Sequence, residues 1–139
     1  MIEFFRTLLN SRSLQILCIV IVLDVIFGVL RSIKEKSTNS SIGIDGMIRK
    51  TGMLLTVICL TFIDLIINVD FIGFIPEEVK QVLKFNEVGI ADVFNVLFII
   101  FESLSIFKNM VLCKMPIPNK LQRGLEKIMK EFTGEVSEK

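Results

Sequence analysis

Three carboxylic acids stand inside long apolar runs, and they are the residues best placed to do chemistry. Asp24 lies within Leu14 to Leu30, Asp64 within Met53 to Val69 and Glu102 within Gly89 to Phe107, and none of these runs contains a Lys or Arg. A carboxyl in such a setting faces another helix, borders water or sits on a proton or ion path, because facing lipid is the costly alternative. Asp24 and Gly28 are four residues apart and share a helix face, so the missing side chain at 28 leaves room for a neighbouring helix beside the carboxyl. Other chemistry is poorly supplied. The chain has no histidine, which removes the usual general base, the triads built on it and most transition-metal sites. Cys18, Cys59 and Cys113 are odd in number and lack C-x-x-C spacing, so they read as small apolar residues. No catalytic group, metal, cofactor or nucleic-acid partner is expected.

The elements that must hold these acids are membrane spans. Of 139 residues, 52% are hydrophobic, and the mean hydropathy of +0.66 is high for a soluble domain. Leu14 to Leu30 has thirteen Leu, Ile, Val or Phe among seventeen residues. At about 1.5 Å per residue it reaches roughly 25 Å, with Arg12 and Arg31 free to snorkel to the two interfaces. Its apolar residues contribute roughly −4 to −8 kcal/mol to insertion, against about +2.5 to +3.5 for one central Asp. Met53 to Val69 has eleven such residues and spans on the same argument. Gly89 to Phe107 has twelve, but Asp92, Asn95 and Glu102 nearly cancel their gain, so this helix either inserts with Glu102 protonated or paired against its neighbours, the favoured reading, or lies at the surface until assembly buries it.

Between the spans, Arg31 to Gly52 is polar and glycine-containing and reads as a loop, and Asp70 to Val88 as a net acidic connection. The stretch Gly43 to Gly52 is not a phosphate-binding loop, since Arg49 rather than glycine precedes Lys50. Met1 to Ser13, with Arg6 and Arg12 before an apolar run, resembles the start of a signal peptide, but no small-x-small cleavage site follows, so an uncleaved span is expected. After Pro116 and Pro118, Leu121, Leu125, Ile128, Met129 and Phe132 form one stripe beside Lys120, Arg123, Lys127 and Lys130. That pattern predicts an amphipathic basic helix, packed on its own protein or lying on anionic lipid. The fold expected is therefore all-α: one membrane domain over 1–139, with spans near 14–30, 53–69 and 89–107 and a tail over 108–139.

Charge sets the orientation. Lys and Arg number two before the first span, five between first and second, two between second and third, and seven after the third. The positive-inside rule then places the first loop and the tail in the cytoplasm and the N-terminus outside, with Arg31, Arg49, Lys50, Lys120, Arg123, Lys127 and Lys130 as cytoplasmic anchors. On that topology Asn39-Ser40-Ser41 is a glycosylation spelling by chance. With twelve Phe but neither Trp nor Tyr, anchoring at the interfaces falls to these basic residues.

The chain resembles the toxin-secretion and phage-lysis holins of Gram-positive bacteria and their phages. The resemblance rests on Leu23-Asp24-Val25-Ile26-Phe27-Gly28-Val29-Leu30, on Ser40-Ser41 to Gly46 followed by Arg49-Lys50 and a run to Asp64, and on Glu102-Ser103-Leu104-Ser105-Ile106 with Asn109 and Pro116-Ile117-Pro118. These blocks cover roughly Leu14 to Lys130 in the family's order. Phe27, Lys108 and Cys113-Lys114 depart from its usual threonine, acid and glycine-containing turn. The resemblance implies a small protein that accumulates in the cytoplasmic membrane, oligomerises, and opens timed lesions releasing a cell-wall hydrolase (endolysin) or exporting a toxin. Asp24, Gly28, Asp64 and Glu102 are the candidates for its oligomer or pore face. An antiholin that delays such a holin, or a small non-lytic membrane scaffold or transporter subunit, would use the same acids.

Overall fold

A computed structural model describes residues 1–36, 40–76, 78–80, 88–116, 118, 122–124 and 127. Four helices account for most of them: α1 (Ile2–Asn10), α2 (Arg12–Glu35), α3 (Ser40–Ile67) and α4 (Ile90–Leu112). Among the described residues there is no strand. Three helices are long and apolar enough to cross a membrane: Arg12–Glu35, Gly43–Ile67 and Ile90–Leu112. The whole stripe expected in the tail lies outside the described residues, as do Lys120 and Lys130.

The start of α3 corrects the sequence analysis. Arg31 to Gly52 is not a loop, because α2 continues to Glu35 and α3 begins at Ser40. Gly43, Gly46 and Gly52 are accommodated within α3, each with no atom within 4 Å of where a Cβ would stand. Ile44, Met47 and Ile48 extend the apolar pattern among them, and tertiary setting outweighs the roughly 1 kcal/mol helix penalty of each glycine. Lys50 therefore lies inside the second apolar helix.

Helix ends follow local chemistry. Ser11 breaks α1 from α2 with extended backbone and caps α2 by accepting from Leu14 N–H at 3.3 Å. Lys36, Asn68 and Lys114 adopt left-handed backbone just beyond α2, α3 and α4, the usual way a helix ends and frees the chain to turn. Lys34 donates to the carbonyl of Cys113, where a cation meets the negative end of α4.

Inter-helix pairings fix the topology. Ser13 meets Asp92, Asp24 meets Asn109 and Lys34 meets Cys113, so α2 and α4 run parallel. α3 runs antiparallel to both, since Lys50 reaches Asp24 and Glu102 while Asp64 reaches the start of α4. Leu14, Leu17, Ile21 and Val57 form the small buried core, with Leu8, Leu54, Phe98 and Ile99 packed around it. The outward faces stay apolar, including Ile19, Ile26, Leu55, Ile66, Val96 and Ile100. Surface of that extent suits a lipid solvent rather than water.

Candidate functional site

On each long helix the inward face is one stripe, and the stripes carry the polar groups. Along α4, Ala91, Asn95, Glu102, Asn109 and then Cys113 just beyond are buried. Asn95, Glu102 and Asn109 are spaced by seven, two helical turns, so they share a face. Lys50, Val57 and Asp64 repeat the spacing on α3, and Leu14, Leu17, Ile21 and Asp24 are the buried stripe of α2.

These stripes meet in an ion cluster near the middle of the bundle. Lys50 Nζ lies 2.7 Å from Asp24 Oδ2 and 2.5 Å from Glu102 Oε2, tying all three long helices together. Asn109 Nδ2 donates to the other Asp24 oxygen at 3.3 Å. Asp24 and Glu102 are only 6% and 5% exposed, so their charges depend on the ammonium group rather than on water. With both carboxyls ionised the cluster carries one net negative charge. Gly28 lies one turn beyond Asp24, where a Cβ would stand 3.9 Å from Asn109 Nδ2, an ordinary contact.

A second polar group closes the end where α2 and α4 begin. Ser13 Oγ donates to Asp92 Oδ1 at 2.6 Å and accepts from Asn95 Nδ2 at 3.0 Å, while Asp92 Oδ2 accepts from Gly89 N–H. Leu17, Ile21 and Val57 separate this group from the ion cluster with an apolar layer.

Asp64 takes no part in the ion cluster and borders the second group at Gly89. Its two oxygens accept from the backbone N–H groups of Ile90, at 3.0 Å, and Ala91, at 2.8 Å. It thus caps α4 from a neighbouring helix, placing negative charge at that helix's positive end. Gly89 makes the approach possible, since a Cβ at 89 would fall 2.4 Å from Asp64 Oδ2.

The expected anchors are dispersed. Arg31 pairs with Glu35 at 3.0 Å, Arg49, Arg123 and Lys127 are exposed, and Lys50 is taken into the ion cluster. That role of Lys50 is what sequence reasoning missed. Its signal is the seven-residue spacing to Val57 and Asp64, which a span beginning at Met53 leaves out.

The model of the bacteriophage holin family matches residues 3–130. The chain belongs to this family. A holin-like protein of Clostridioides difficile, TcdE, is 34% identical over 126 residues, which are 91% of this chain and 76% of the relative. No solved structure matches. With its three apolar helices, this holin is a multi-pass protein of the inner membrane and has a holin role.

Proposed function

We propose that this holin accumulates in the inner membrane as subunits closed around the Lys50 cluster, oligomerises, and at a set time opens lesions that let a cell-wall hydrolase or a toxin cross. The carrying observation is the contact of Lys50 with both Asp24 and Glu102 between three apolar helices. Such a cluster is stable only while its members stay together or find water. Separating the helices therefore favours a water-filled space lined by several subunits. The N-terminus lies outside and the tail in the cytoplasm, as the Lys and Arg distribution supports. A net charge within the membrane responds to the potential by about 2.3 kcal/mol per elementary charge per 100 mV, so depolarisation shifts the balance between closed and open subunits.

The test is induced expression of this chain alone in a bacterium, following membrane potential and viability, with an energy poison added at chosen times. Abrupt depolarisation and death after a delay, advanced by the poison, is the expected result. Cells that stay polarised and viable despite abundant inserted protein would overturn it and point to an antiholin or a scaffold.

A further inference from the structure

The Met1 to Asn10 segment does more than precede the first span. Around α1, Met1, Ile2, Phe4, Phe5, Leu8 and Leu9 occupy one side, and Glu3, Arg6, Thr7 and Asn10 the other. Only part of the apolar side is used within the subunit. Phe4 stacks edge-on against Phe62 of α3 with ring centroids 5.8 Å apart, and Leu8 packs on the core. Ile2, Phe5 and Leu9 remain 86%, 56% and 71% exposed.

The depth of α1 follows from its contacts. Phe62 is two residues before Asp64, which bonds the first turn of α4. Phe4 therefore lies level with the ends of the spans instead of continuing the axis of α2 outward. The extended backbone at Ser11 makes this bend, and Gln15 Nε2 holds it by donating to the carbonyl of Leu9 at 2.7 Å. With nine residues, α1 reaches only about 14 Å and is too short to span.

We propose that α1 is an interfacial helix, with Ile2, Phe5 and Leu9 set into the boundary between lipid headgroups and acyl chains at the end of the bundle where α2 and α4 begin. The occupant of this face is lipid because the face continues the outward apolar surfaces of the three spans. Its polar arc then faces water. Glu3 and Arg6 cancel in charge and leave only the Met1 ammonium group, so attachment rests chiefly on apolar burial. The proposal rests on the membrane location of the chain and not on lesion formation, so the two fail independently.

The chain has no Trp, so Phe5→Trp, Leu9→Trp and Thr7→Trp each introduce a sole fluorophore. Each full-length variant is reconstituted at high dilution into phosphatidylcholine vesicles carrying bromine either near the carbonyl end or near the tail of the acyl chain. The expected result is emission shifted to shorter wavelength for Phe5→Trp and Leu9→Trp, with loss of intensity to the shallow bromine far exceeding loss to the deep one. Thr7→Trp emits as in water. Water-like emission from both Phe5→Trp and Leu9→Trp would overturn the proposal, as would stronger quenching by the deep bromine, which means insertion. Shielding that appears only at high protein density would also overturn it, making a second copy the occupant. Leu9→Trp decides alone if Phe5→Trp fails to insert.

Discussion

Lys50 is the residue on which the interior depends. Replacing it with methionine strands two buried carboxyls, and losing one partner of a buried ion pair typically costs about 3–5 kcal/mol. Lys50→Met is expected to unfold at lower detergent denaturant than the parent. The triple variant Asp24→Asn, Lys50→Met, Glu102→Gln should recover a large part of the loss, because no unpaired charge remains. A triple variant no more stable than Lys50→Met would mean that the cluster is not held by charge. Asp64 and Gly89 form a second coupled pair. Asp64→Ala leaves two N–H groups of α4 without their acceptor, at about 0.5–2 kcal/mol, whereas Gly89→Ala forces a Cβ into the carboxyl 2.4 Å away. In a double-mutant cycle Gly89→Ala should therefore do less harm in the Asp64→Ala background than alone. The three acids were legible in the sequence, because carboxyls among Leu, Ile and Val are conspicuous. Their division of labour was not, since one partner set is a pair of backbone amides, which carry no residue signature.

At the scale of elements, the connection between α3 and α4 is tied at Asp70. Its Oδ1 accepts from Ile72 N–H at 3.0 Å and Val88 N–H at 3.1 Å, Phe71 N–H meets the Val88 carbonyl at 2.9 Å, and Lys80 lies 3.5 Å from Oδ2. The Val88 N–H, then the Ile72 N–H and Lys80, hold the Asp70 carboxyl below its ordinary value of 3.8. A depressed folded pKa means that this group contributes stability above the ordinary carboxylate range and loses it as pH falls through the folded value. Protection of the Val88 amide from hydrogen exchange should hold near neutral pH and fall below about pH 4, and Asp70→Asn should remove that dependence. From sequence this stretch was a polar connection and nothing more, because Asp70 and Val88 are eighteen residues apart with no periodic pattern between them. The three long helices were legible through their apolar runs. The first thirteen residues of α3, Ser40 to Gly52, were not, since their glycines and charges resemble a loop until α2 and α4 are there to receive Lys50.

For the whole molecule, parallel packing of α2 and α4 is the feature most open to direct test. In a background with Cys18, Cys59 and Cys113 replaced by alanine, Ser13→Cys with Asp92→Cys should form a disulfide within one chain, and Ser13→Cys with Asn109→Cys should not. The reverse would invert the direction of α4. The three apolar runs were plain in the composition and the charge alternation favoured three spans, while their order of packing depends on contacts between residues some 80 positions apart, such as Ser13 with Asp92. The polar stripe of α4 has a mechanical consequence. Seven residues fall only about 20° short of two full turns, so Asn95, Glu102 and Asn109 stay within one narrow sector along most of the helix. Any turn of α4 about its axis moves all three together, carrying Asn95 from Ser13, Glu102 from Lys50 and Asn109 from Asp24 in one motion. The subunit thus has a single angular coordinate along which the contacts of this α4 stripe are made or lost together, while the Lys50–Asp24 pair between α3 and α2 is untouched.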